Sequence, residues 1–126
     1  MSLIFLALLT LASQEAPPVP AVRTQSAPPV ERARPRRNLS LYVRNGDYPP
    51  GALRRYEQGV VGFDLDVSAE GRVTDCRVTA SSGSEDLDLA TCRIMRRRAR
   101  FDPARDAQGN RVPDRHSSRL AWQLSG

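Results

Sequence analysis

The sequence predicts an α+β domain, a small antiparallel sheet packed by two helices, and three observations carry that prediction. Residues 61–67 alternate apolar and polar side chains, a turn signal and a second strand pattern follow at once, and residues 87–95 repeat apolar side chains at helical spacing. A length of 126 residues holds one small domain plus its termini and leaves no room for a multidomain enzyme.

The first element is an unbroken apolar run, residues 3–12 (LIFLALLTLA), ten residues against the roughly 20 that a spanning helix needs. Thr10 and Ala12 are small residues at the offset that signal peptidase uses, and polar, proline-rich sequence begins at Ser13. Residues 1–13 are therefore expected to be a secretory signal peptide and the product to be exported. No Lys or Arg precedes Arg23, so the usual charged start is missing. If the true start lies upstream, the same run is instead the tail of a longer inner-membrane anchor.

Residues 14–37 are rich in Pro, Ala and Arg, with Pro17, Pro18, Pro20, Pro28, Pro29 and Pro35 fixing backbone angles and removing donors. Such a segment is expected to be an extended, disordered linker. The folded domain is expected over residues 38–126. Leu39, Leu41 and Val43 alternate with polar neighbours and predict a short strand before the turn Asn45-Gly46-Asp47. After Tyr48-Pro49-Pro50-Gly51, residues 52–56 predict a helix of about two turns that stops before Gly59.

Val61, Phe63, Leu65 and Val67 form the clearest strand. Glu70-Gly71 turns the chain into a second strand over residues 72–80, with Cys76, Val78 and Ala80 on one face. Ser84 is a predicted N-cap, followed by Glu85 and Asp86 where the helix dipole favours acids. Leu87, Ala90, Thr91, Ile94 and Met95 supply that helix's apolar face, and Pro103 forbids its continuation. The cations Arg96, Arg97, Arg98 and Arg100 suit its negative end. After a loop at residues 106–113, a last strand carries Leu120, Trp122 and Leu124 inward and Arg119, Ala121 and Gln123 outward.

Composition narrows the chemistry. All 19 basic residues are arginine against 14 acidic ones, which argues for surface ion pairs at least as much as for polyanion binding, and an exported chain with acidic residues on its first strand is poorly placed to bind nucleic acid. With one histidine, His116, and two cysteines, Cys76 and Cys92, no metal site or cofactor is expected. Asp64 and Asp66 share a strand face but are ordinary for a solvated face, and Ser81-Ser82-Gly83 lacks a nucleophile-elbow frame. No catalytic residue is assigned.

The residues Tyr48-Pro49 with Ala52, Gly59-Val60-Val61, Glu70-Gly71-Arg72-Val73, Ser81-Ser82-Gly83, Leu87-Asp88 and Arg98-Ala99-Arg100-Phe101-Asp102-Pro103-Ala104 come in an order and spacing that resembles the C-terminal domain of the TonB energy-transducer family. The resemblance covers residues 38–124. It implies a periplasmic domain that grips the TonB box peptide of an outer-membrane receptor by adding it as a strand to a free sheet edge. Carried to this chain, that edge is residues 118–124, with Ser118, Arg119, Ala121 and Gln123 as the partner-side positions. A complete transducer also has an anchor helix whose histidine couples to ExbB and ExbD. Here the apolar run is short and His116 lies inside the domain, so those partners are expected only if an anchor exists. The alternative is a stand-alone envelope adaptor that binds without transducing energy; dimerisation is left open.

TonB-like proteins with this pattern place one cysteine on the hairpin and one on the next helix. The even cysteine count, an oxidising compartment and the inward position of Cys76 also predict a Cys76–Cys92 disulfide, the alternative being two buried thiols.

Overall fold

The computed structural model describes residues 28–125. The expected signal peptide and most of the expected linker lie outside the described residues. Among the described residues nine strands and α-helices follow in order: β1 (Arg34–Pro35), α1 (Pro50–Arg54), β2 (Gly59–Val67), β3 (Val73–Ala80), α2 (Glu85–Arg98), β4 (Phe101–Asp102), β5 (Ala104–Arg105), β6 (Arg111–Val112) and β7 (Asp114–Trp122), with the 3₁₀ turns Leu39–Tyr42 and Asn45–Asp47 between β1 and α1.

The main sheet has the order β3-β2-β7, antiparallel throughout, and agrees with the α+β architecture expected. β2 is central because its alternation is strict: Val61, Phe63, Leu65 and Val67 are at most 1% exposed. Those side chains meet α2, whose Leu87, Ala90, Thr91, Ile94 and Met95 are all buried as their spacing predicts. Ser84 caps α2 by accepting from the Leu87 N–H at 3.2 Å. The helix ends at Arg98, before Pro103 has any say, because Ala99 turns extended and sends Phe101 into the core.

Four expectations are corrected. Leu39–Tyr42 is a 3₁₀ turn, not a strand: the Asn38 side chain accepts from the Ser40 N–H, only Leu39 enters the core, and Leu41 is exposed. The first helix is a single short turn over Pro50–Arg54, ending before Tyr56 takes a left-handed backbone. Val78 keeps the face of Cys76, opposite Phe63, yet is 39% exposed, while Ala80 leaves that face because the β2–β3 ladder shifts register between Gly62 and Phe63 and sets it opposite Gly62. The loop after Asp106 is a small β5–β6 hairpin, in which the Asp106 carboxylate accepts from the Gln108 and Asn110 N–H groups.

The expected linker also changes character before residue 38. Ala33 is 4% exposed, Glu31 bridges to Arg105, and β1 pairs with β4. Residues 30–36 thus form an extended strap on the domain, with the small Ala33 inward and Arg32 and Arg34 outward. Pro35 is tolerated because an edge strand leaves its missing donor unneeded.

Candidate partner-binding edge

β7 pairs with β2 alone, so one of its edges is open among the described residues. Which backbone groups face that edge follows from two hydrogen bonds. The Asp66 carbonyl of β2 accepts from Thr74 Oγ1 of β3, so the even residues of β2 turn toward β3 and its odd residues toward β7. The β7 residues opposite those odd positions are Asp114, His116, Ser118, Leu120 and Trp122. In agreement, the Leu124 N–H donates to Gln58 Oε1 on the β2 side at 2.7 Å. The outward N–H and C=O groups are those of Arg115, Ser117, Arg119, Ala121 and Gln123.

Of the four residues expected at the edge, Arg119, Ala121 and Gln123 are exposed and have outward backbone groups. Ser118 is half-buried, stands opposite Phe63, and directs its backbone to β2. Leu120 and Trp122 are buried, 4% and 3% exposed, and the strand ends at Trp122, leaving Leu124 half-buried just beyond.

Beside this edge, on the α2 side of the sheet, lies a groove of about 360 Å³ lined by Val43, Tyr48, Leu53, Trp122 and Leu124. Tyr48 is held there from several directions. Its hydroxyl donates to the Glu57 carbonyl and its ring meets Trp122 edge-on, with centroids 5.3 Å apart. Trp122 in turn donates its Nε1–H to Thr91 Oγ1 at 2.9 Å, and Thr91 donates to the Leu87 carbonyl of α2. One residue earlier, Asp47 takes both arms of Arg98 at 2.6 and 2.9 Å, and Arg98 also donates to the Tyr42 carbonyl. The Arg98 hydrogen bonds hold the Asp47 carboxyl down to about 2. Tyr48 and Leu53 were not nominated from sequence as partner-side residues. The Tyr48-Pro49 pair was the available signal, and its nearness to the edge depends on the Asp47–Arg98 contact across 51 residues.

The other polar candidates are engaged in structure. Asp66 pairs with Arg77 and Arg115, and Asp64 accepts from Ser117 Oγ at 2.6 Å. Arg96 and Arg98 pair with Asp75 and Asp47, while Arg100 donates to the Arg97 and Ala99 carbonyls at the α2 end. His116 lies edge-on to Phe101 at 5.1 Å, and burial pushes its pKa down. Cys76 of β3 and Cys92 of α2 are disulfide-bonded, with Cα atoms 5.5 Å apart. Among the described residues no cluster of His, Cys, Asp and Glu is arranged to hold a metal, and no helix is long and apolar enough to cross a membrane.

Fold and edge together define a small α+β domain whose three-stranded sheet has β2 at its centre and β3 and β7 each paired on one side. Residues 44–124 match the family model described as the Gram-negative bacterial TonB protein C-terminal, and the chain belongs to that family. The protein TonB of Pseudomonas putida is 37% identical over 89 residues, which are 70% of this chain and 35% of that one. The chain thus spans about a third of the length of that curated relative. The solution NMR structure of the Pseudomonas aeruginosa TonB C-terminal domain is similar with a TM-score of 0.56 at 23% identity, over 75% of this chain and 88% of that one. That likeness is one of fold.

Proposed function

We propose that the outer edge of β7, over residues 118–124, takes an extended peptide as a fourth strand, and that this peptide is the TonB box of an outer-membrane receptor. The observation that carries the reading is the row of outward backbone groups at Arg119, Ala121 and Gln123 beside the groove of Tyr48, Leu53 and Leu124. Backbone pairing supplies affinity in strand addition, and alternate side chains of the added strand reach a pocket that supplies selectivity. An unpaired edge must otherwise be covered or charged, and here Arg119 is the only charge on the stretch. The domain acts in the periplasm and contributes binding rather than catalysis. Coupling to ExbB and ExbD belongs to the same reading wherever an anchor precedes the domain; without one the domain is a stand-alone adaptor.

The test uses a synthetic TonB box peptide. Ala121→Pro removes an outward donor while leaving the donors that Leu120 and Trp122 give to β2, so it should abolish binding in a protein whose circular dichroism is unchanged. Arg119→Ala keeps the backbone and should weaken binding only modestly, by about threefold. Undiminished binding by folded Ala121→Pro would remove this edge from consideration and move the contact to the arginine-rich surface.

A further inference from the structure

We infer that Arg32 and Asp114 limit the length and register of the strand that β7 accepts, by closing its edge at Arg115. The inference rests on the strand-addition reading. Asp114 opens β7, and its side chain is only 7% exposed although it is ionisable. Arg32 donates to it through Nε and Nη2, both at 2.8 Å, and the Ala33 N–H donates at 2.9 Å. A forked guanidinium on a carboxylate is the strong form of this contact.

The same pair engages both outward backbone groups of the next residue. The Arg115 N–H donates to Asp114 Oδ1 at 2.8 Å, and the Arg115 carbonyl accepts from Arg32 Nη2 at 3.1 Å. These are the groups that an added strand would need at that position. Arg115 therefore has nothing to offer, while the guanidinium occupies the line along which the strand would continue. From Ser117 onward, by contrast, no backbone–backbone bond reaches the outer edge among the described residues. The strap holding Arg32 is tied down on both sides, by β1 to β4 and by Glu31 to Arg105. A cleft of about 400 Å³ lined by Arg32, Ala33 and residues 114–117 lies beside this contact, so loss of the guanidinium widens the space along the edge there. The Arg32 side chain is 67% exposed, and truncating it leaves no hole in the core.

The experiment uses the full chain, its Arg32→Ala and Asp114→Ala variants, and two soluble peptides of alternating Thr and Val, one as long as residues 117–123 and one as long as residues 114–123. Affinities come from calorimetry and edge protection from amide hydrogen exchange. The unaltered protein should bind both peptides within about twofold, with protection ending at Ser117. Arg32→Ala should bind the long peptide about tenfold more tightly than the short one, with protection reaching Arg115. Because the readout is the ratio of two peptides on one protein, a general loss of stability does not mimic it, and folded Asp114→Ala should move the ratio the same way. An unchanged ratio with protection still ending at Ser117 in both variants overturns the inference and leaves strand addition standing. Binding of neither peptide to any of the proteins overturns strand addition and the inference with it.

Discussion

Asp47 fixes the segment before α1 to the end of α2, and its ionisation state decides whether that contact holds. Its side chain is 16% exposed, and the Arg98 hydrogen bonds bring its pKa from 3.8 down to about 2. A carboxyl depressed on folding stabilises the fold above its unfolded pKa, and that contribution is lost as pH falls through the folded value. Stability should therefore drop by about 2 kcal/mol between roughly pH 5 and pH 2 from this group, and Asp47→Asn should flatten that part of the curve in urea titrations. The same substitution should loosen Tyr48 and weaken peptide binding at neutral pH. Gly71 makes a second prediction at this scale. Its φ is +85°, and a Cβ there would lie 2.1 Å from the Phe101 carbonyl oxygen. Gly109 has a similar φ of +83° but open space around it. Gly71→Ala should cost more than about 3 kcal/mol and Gly109→Ala about 1 kcal/mol in thermal or urea unfolding, so equal costs would mean that backbone conformation alone matters.

Between elements, the disulfide ties β3 to α2 across a sequence separation of 16. Closing a loop of that size stabilises by roughly 3 kcal/mol on the chain-entropy account. Cys76→Ala/Cys92→Ala should lower stability by about that amount in chemical denaturation while peptide affinity stays unchanged, because neither cysteine lines the β7 groove. The elements themselves were legible where their information is local. β2 announces itself by alternation, and α2 by Ser84 and the spacing from Leu87 to Met95. The three outward residues of the edge were legible for the same reason, since alternation along β7 sorts Arg119 and Ala121 from Leu120 and Trp122. Alternation misled at Leu39, Leu41 and Val43, where the Asn38 side chain offers the backbone a turn instead. It also misled at Ala80, where a register shift interrupts the pleat that the pattern assumes. The groove was not legible, because Tyr48, Leu53 and Trp122 meet through contacts between distant segments that no short pattern encodes.

At the scale of the whole molecule, the question is where the folded body begins, and composition and structure give different answers. Prolines and arginines mark residues 14–37 as linker, yet residues 30–36 bury Ala33, pair with Phe101 and Asp102, and cover the Asp114 carboxylate. Composition missed this because the strap contributes one small apolar side chain, while its remaining contacts are backbone bonds and an ion pair spanning 82 residues. Those contacts are not decorative. Burial alone would raise the Asp114 pKa, yet the Arg32 hydrogen bonds and the Ala33 N–H carry it below its ordinary value. A chain beginning at Pro28 keeps them, whereas one beginning at Asn38 leaves a poorly exposed carboxylate without its guanidinium and exposes the core beside Ala33. Loss of the buried methyl, the ion pair and the strand pairing should together cost about 3 kcal/mol. With a urea dependence of about 1–2 kcal/mol per molar for a domain of this size, the shorter chain should unfold at a midpoint lower by roughly 2 M. The difference should shrink in acid, as the Asp114 carboxylate is protonated and the strap loses its main anchor. Coincident midpoints for the two chains at neutral pH would mean that the strap rides on the domain without supporting it, and would return the domain boundary to residue 38.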